Sequence, residues 1–221
     1  MDLTKIINET IQSSYETEPR RYIGASSIGH DCKRFIWYGL HGNHQSTPSH
    51  KTITSFNIGK RLESLPIEIL KLANINIVQP NKDNSYLLFK DEDVPELQGH
   101  ADGILLIQFE DPVILEIKTA KNSSFNNFKN KGLKQWSLMY YSQLQTYMGM
   151  SGYNKAVLIA LNKDTSEFHH EWVDFDSKFY DALKNKAKDI ASMQEPPEKI
   201  NRNAMFITCN QCCYKVICHG S

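Results

Sequence analysis

Two charged side chains interrupt an apolar run in the segment VILEIKTAKN, residues 113–122, where Glu116 and Lys118 stand one residue apart among Val113, Ile114, Leu115 and Ile117. Side chains of an extended strand alternate faces, so Glu116 and Lys118 project together while Leu115, Ile117 and Thr119 take the other side. Upstream, QGHADGILLI places Asp102 in a neighbouring strand, and a hairpin through the Glu110-Asp111-Pro112 turn sets it near Glu116 across the ladder. Like charges that close need a counter-ion. Oxygen ligands of this kind suit Mg²⁺ or Mn²⁺, which keep several waters and accept phosphate oxygens. A lysine beside them can orient or help deprotonate a metal-bound water. Taken alone, a Glu-x-Lys pair usually decorates the exposed face of an edge strand, so other residues have to decide.

Two further pieces flank this pair. NIGKRLES carries Gly59 followed by Glu63, and YYSQLQTYM carries Gln143 and Tyr147 at i, i+4, on one face of a helix. Beside Leu138, Tyr141 and Leu144 the latter also fit as ordinary boundary residues. A separate constellation lies in the tail, where TCNQCCYKVICHG gives Cys209, Cys212 and Cys218 in a C-x₂-C-x₅-C spacing, with Cys32 far upstream in SSIGHDCKRFIWYG. Four thiolates can hold a 4Fe–4S cluster or a tetrahedral zinc. Cys213 is surplus, a C-x₃-C-x₄-C register through it stays open, and His219, His41 and His44 can also join a zinc site.

The elements that must position these groups follow from periodicity and punctuation. Residues 2–15 and 53–72 read as helices, the second with Pro66 as a candidate kink. Short β-prone runs at Ile75–Gln79, Tyr86–Phe89, Gln98–Gln108 and Pro112–Ala120 suggest an antiparallel meander. A helix over Leu133–Met150, strands at Lys155–Leu161 and His169–Phe175, and a helix over Ser177–Met193 complete the order. Length bounds the organisation: 221 residues with 40% hydrophobic content suit one domain, residues 1–221, with a core over about 53–195. No segment resembles a secretory leader or a membrane span, so a soluble, cytoplasmic protein is expected, and five cysteines are an odd set for disulfides.

The formal net charge is zero, but its distribution is uneven. From Ile117 to Lys163 there is no Asp or Glu, while Lys118, Lys121, Lys129, Lys131, Lys134, Lys155 and Lys163 are interleaved with Phe125, Phe128, Trp136, Tyr140, Tyr141, Tyr147 and Tyr153. From Asp83 to Glu116 acidic residues dominate, with Lys90 the one base. A basic, aromatic stretch suits a phosphate backbone and its bases, and an acidic block beside it can hold divalent cations; two solvated faces of opposite sign explain the same pattern. Ser26, Ser27, Lys33 and Arg34 can contact a backbone phosphate or simply cap a helix.

In order and spacing, Glu63, Asp102, Glu116-x-Lys118 and Gln143-x-x-x-Tyr147 resemble the PD-(D/E)xK nuclease superfamily, in particular its RecB-like and lambda-exonuclease-like branch. The resemblance implies a mixed α/β fold with a restriction-endonuclease-like core, a central mixed sheet flanked by helices. It implies that Glu63, Asp102 and Glu116, with the carbonyl of Ile117, bind Mg²⁺ or Mn²⁺, that Lys118 assists the water nucleophile, and that Gln143 and Tyr147 line a DNA path, joined by the basic Lys121. Many iron–sulfur members carry a histidine near the helix glutamate; here Arg61 and Leu62 precede Glu63. The one-plus-three cysteines resemble CRISPR-associated RecB-like exonucleases and AddB, implying a 4Fe–4S cluster, zinc being the alternative, that staples elements at about 26–40 to the tail at 205–219. DNA, single- or double-stranded, is the implied partner, along with proteins of recombination, repair or CRISPR adaptation. The function expected is an exonuclease. A catalytically degenerate DNA-binding or partner-docking module is the alternative, against which the full acidic set speaks.

Overall fold

The computed structural model describes residues 1–16, 18–43, 45–80, 87–108 and 110–220. In chain order its elements are α1 (Leu3–Ser13), β1 (Ile23–Gly24), α2 (Ala25–Ile28), α3 (Lys33–Leu40), α4 (His50–Leu62), α5 (Ser64–Leu72), β2 (Asn76–Val78), β3 (Leu88–Lys90), β4 (Leu97–His100), β5 (Gly103–Leu106) and β6 (Val113–Ala120). There follow α6 (Asn122–Lys131), α7 (Leu133–Trp136), α8 (Leu138–Ser151), β7 (Lys155–Asn162), β8 (Phe168–Asp174), α9 (Ser177–Ser192), α10 (Ile207–Asn210) and α11 (Lys215–His219). The result is a mixed α/β architecture in which a central mixed sheet carries helices on its faces.

That sheet has five strands in the order β2-β5-β6-β7-β8, and a smaller one has the order β1-β4-β3. The expected antiparallel meander is therefore corrected. The strands β2, β5 and β6 do pair antiparallel, but β6 and β7 run parallel, joined by the α6–α8 crossover, and β3 and β4 belong to the other sheet. Parallel neighbours need such a crossover, and the strongly apolar run at Lys155–Asn162 suits a strand covered on both faces. Tyr86, at the start of one expected strand, and His44 lie outside the described residues.

The strand expected over 98–108 is broken at Asp102, where the chain leaves the small sheet and enters the large one. The helix expected over 53–72 is broken at Glu63, which closes α4 and opens α5. Pro66, the expected kink, sits in the first turn of α5, where its missing N–H costs no helical bond. The helix expected over 133–150 divides at Ser137, whose extended backbone (φ −152°, ψ 99°) and hydroxyl, accepting from the Tyr140 N–H at 3.3 Å, make it an N-cap. The helix α6 was not anticipated, because its Asn- and Ser-rich sequence has weak helical propensity; burial of Phe125 and Phe128 holds it in place.

On one side of β6 a core containing Ile114, Ala120, Leu144, Tyr147 and Leu158 lies beneath α8; on the other, Leu115, Ile117 and Val157 pack toward α5. A third core joins α3 and α9 to Leu97 and Tyr214. Among the described residues no helix is long and apolar enough to cross a membrane.

Candidate active site

Strand β6 sets the geometry. Its register with β5 pairs Gly103 with Leu115, so Asp102, one residue before β5, comes level with Glu116. Asp102 Oδ2 accepts the backbone N–H of Ile117 at 2.7 Å, standing in for the strand partner that the broken ladder lacks. The N–H and C=O of a strand residue leave from the same edge, so the Ile117 carbonyl also opens on the Asp102 side. Glu63, at the α4–α5 break, is close enough to Asp102, Glu116 and Lys118 to perturb and be perturbed by their charges. The structure thus brings Asp102, Glu116 and Lys118 together across neighbouring strands, with Glu63 near enough for its charge to act on Glu116.

Glu116 points into the core side of the sheet and is 2% exposed. Its Oε1 accepts from Lys118 Nζ and, at 2.8 Å, from Gln143 Nε2. Gln143 Nε2 also reaches the Tyr147 hydroxyl at 2.9 Å, and that hydroxyl donates to the His100 carbonyl. Gln143 and Tyr147, at 4% and 2% exposed, do not occupy the solvent-facing position that contact with a DNA strand requires. Their place in this structure is behind the carboxylate, which they hold. Of the aromatic residues expected to meet bases over 117–163, Phe125, Phe128 and Tyr147 are instead core residues, while Trp136, Tyr140, Tyr141 and Tyr153 are partly exposed.

Burial pushes the Glu116 carboxyl up to about 8, the Asp102 charge adds to the shift, and Lys118 opposes it. Asp102 and Glu63 are likewise raised, first by burial. Burial works against the Lys118 charge too, but Glu116 and Asp102 outweigh it and the ammonium is held above its ordinary range. Asp102 raises both Glu63 and Glu116, and Glu63 adds to Glu116, so the carboxyl groups around the one Lys118 cation have a deficit of positive charge. Glu116 Oε2 makes the same point locally: it is buried and has no hydrogen-bond partner. Such an orphan costs free energy that a cation would relieve. Among the described residues no three His, Cys, Asp or Glu side chains stand close enough to form a ready ligand set. The donor chemistry still fits a hard divalent cation, through carboxylate oxygens and one backbone carbonyl.

Two neighbours were missed from sequence. Tyr140 lies under the Lys118 ammonium, 5.2 Å from ring centre to Nζ. The 140-143-147 spacing on one helical face was the available signal. His100 enters only through its backbone carbonyl, which no side-chain pattern can announce. Lys121, expected to touch DNA, is exposed between β6 and α6, outside this hydrogen-bonded group. Arg34 is spoken for, donating to the Tyr38 hydroxyl and the Pro197 carbonyl at 2.9 Å each, and Lys33 lies 3.8 Å from Asp189. Arg34 is thus turned toward its own fold, while the exposed Lys33 pair with Asp189 is of the weak surface kind. Ser27 donates to the Gly24 carbonyl and Ser26 accepts from Arg20, so both hydroxyls serve the local turn.

Cys32, Cys209, Cys212 and Cys218 line one cavity, formed between α3, the segment around Lys199, and the α10–α11 tail. All five cysteines are free thiols. Cys213 is not among the residues lining this cavity. Its carbonyl accepts from the backbone N–H and the hydroxyl of Ser46, and the neighbouring Cys213 thiol draws the Cys212 thiol below its ordinary range. His219 lines the same cavity, whereas His41 stacks on Trp37 at 3.7 Å between ring centres.

Comparison with models of known families and with curated proteins finds no match. Solved structures do match. SSO0001 superposes with a TM-score of 0.60 at 18% identity, covering 100% of this chain and 97% of that one. LHK-Exo, an alkaline exonuclease from Laribacter hongkongensis that has also been crystallised with dAMP, gives 0.59 at 12% identity over 83% and 91%. A phage-related exonuclease from Haemophilus somnus 129PT gives 0.55 at 12% identity over 81% and 94%. The chain therefore shares the fold of the alkaline and phage-related exonucleases.

Proposed function

We propose that this chain is a divalent-metal-dependent nuclease that hydrolyses phosphodiester bonds of DNA, acting as an exonuclease. The observation that carries the reading is Glu116, a buried carboxylate with one oxygen held by Lys118 and Gln143 and the other without a partner. Glu63, Asp102, Glu116 and the Ile117 carbonyl would hold Mg²⁺ or Mn²⁺. Bound there, the ion would lower the pKa of a water and offset charge on the scissile phosphate and leaving oxygen.

The chain's own residues supply the rest. Lys118, charged throughout the neutral range, steadies an incoming water and the phosphate's negative charge beside Glu116. Gln143 and Tyr147 fix the Glu116 rotamer, so the carboxylate need not reorganise during the reaction. Lys121, Lys129 and Lys131, exposed around α6, draw in the phosphate backbone. The shared fold, and the dAMP bound to LHK-Exo, support nucleic acid as substrate.

Cys32, Cys209, Cys212 and Cys218 would hold a 4Fe–4S cluster, or zinc in its place, tying the region before the nuclease core to the tail. Hydrolysis needs no electron, so this role is structural.

The test is incubation of the anaerobically purified protein with end-labelled single- and double-stranded DNA, with Mn²⁺ or with chelator. Release of short products only with the metal, and only when Glu116 is intact, is expected. Strands that stay whole under every condition would remove the reading, and iron content with visible colour decides cluster against zinc.

A further inference from the structure

The two edges of the five-stranded sheet differ. The β2 edge is short, Asn76–Val78. The β8 edge has seven residues, FHHEWVD, without the lysine, proline or bulge by which proteins blunt an open edge. Bonds at the ends of the β7–β8 ladder set its phase: Asn162 N–H donates to the Glu167 carbonyl at 2.8 Å and Phe175 N–H to the Asn154 carbonyl at 2.9 Å. Odd-numbered residues of β8 therefore turn their backbone toward β7, and Phe168, His170, Trp172 and Asp174 turn theirs outward. Among the described residues no strand pairs with that outer side.

We propose that β8 pairs antiparallel with β8 of a second copy of this chain, about a twofold axis through His170, joining the two five-stranded sheets edge to edge. Residue types choose this register. With His170 opposite itself, Phe168 lies opposite Trp172 on one face and His169 opposite Glu171 on the other, each pair occurring twice by symmetry. The two neighbouring registers with the same hydrogen-bond phase fail on charge: one sets Glu171 against itself, the other Glu167 against Glu171. In the register through His170 every outward N–H and C=O of Phe168, His170 and Trp172 finds a partner. Phe168 and Trp172, 46% and 50% exposed, then pack across the joint, on the face that Val157 and Ile159 continue within each copy. The axis stands normal to the sheet, so both Glu116 sites open on the same side. None of this depends on the nuclease reading.

Light scattering on the full chain at micromolar concentration tests the assembly, with a mass of twice 25.4 kDa expected. His170→Pro removes only an outward N–H, since no bond to β7 uses it, and should weaken dimerisation about tenfold or more with an unchanged far-UV spectrum. If the proline disturbs folding, Trp172→Lys gives the same readout without touching the backbone. His170→Cys should form a disulfide-linked dimer under mild oxidation beyond any that the wild type forms, because opposed residues of a hydrogen-bonded pair lie about 5.5 Å apart at Cα. A wild-type monomer throughout, or a dimer whose dissociation constant ignores both His170→Pro and Trp172→Lys, overturns the proposal.

Discussion

The carboxylate site and the cysteine-lined cavity are both built from distant parts of the chain, but what holds each is different. Around Glu116 every member sits on, or at the end of, an element anchored in the core: Ile114, Leu115 and Ile117 of β6 are fully buried, and Gln143 and Tyr147 are locked by hydrogen bonds. Around Cys209 the frame is thin. The helices α10 and α11 have four and five residues, α11 buries none, and Met205, Ile207 and Val216 are largely exposed. The first site is a product of the fold. The second is a cavity whose tail thiols sit on or beside short helices with little buried surface of their own.

Two substitutions test that contrast most strongly. Glu116→Gln should lower cleavage by about a thousandfold or more while leaving the metal-free protein as stable as before or more so, because an isosteric amide replaces a buried carboxyl that must take up a proton on folding. Cys209→Ser should do the reverse, lowering Tm by about 5 °C or more and bleaching the sample, with cleavage per folded molecule little changed. If Cys209→Ser abolishes cleavage in chains that are demonstrably folded, the two sites are not independent.

How much of this was legible beforehand follows the same division. Period-two alternation put Glu116 and Lys118 on one face, and hairpin arithmetic put Asp102 opposite Glu116, because strand geometry is local. The i, i+4 spacing joined Gln143 to Tyr147 for the same reason. Their role was not legible, since burial at 4% and 2% is decided by how α8 lies over β6, and amides and phenols look alike at a surface and in a core. The sequence offers Pro66 as the kink and the structure breaks the helix at Glu63, because a proline announces itself in sequence and the packing of α4 against α5 does not. Likewise α6 escaped notice: Phe125 and Phe128 read as stacking platforms in a basic segment, and only the packed structure shows them as core.

Gln143→Leu sharpens the comparison from within the carboxylate site. Losing the amide that holds Glu116 Oε1 should weaken apparent Mn²⁺ affinity by about 10–100-fold, measured as the metal concentration giving half-maximal cleavage. An unchanged requirement would mean that Lys118 alone positions the carboxylate. A separate effect should appear with pH in chelator. Because the folded Glu116 carboxyl is raised to about 8, the native state keeps a proton that the unfolded chain has lost above about pH 4.3, so metal-free stability falls as pH rises from about 5 through 8. Denaturant unfolding at the two ends of that window, with and without Mn²⁺, should show the loss in chelator and its relief by metal; Glu116→Gln should flatten it. Lys118, held above its ordinary range, contributes only at more alkaline pH and leaves the window unaffected.

The smallest effect is expected at Cys213, and it decides which cysteines form the second site. Cys213 is in sequence as good a candidate as Cys212, since it completes a C-x₃-C-x₄-C register with Cys209 and Cys218. In space they differ: Cys212 lines the cavity with Cys32, Cys209 and Cys218, whereas the Cys213 backbone is tied to Ser46 and Cys213 does not line that cavity. A serine in its place keeps a donor toward Cys212. Cys213→Ser should therefore retain the full iron or zinc content and shift stability by no more than about 0.5 kcal/mol, in line with substitutions away from a core or a ligand. Metal content that falls as far as in Cys209→Ser would instead place Cys213 inside the ligand set and move Cys212 to the supporting role.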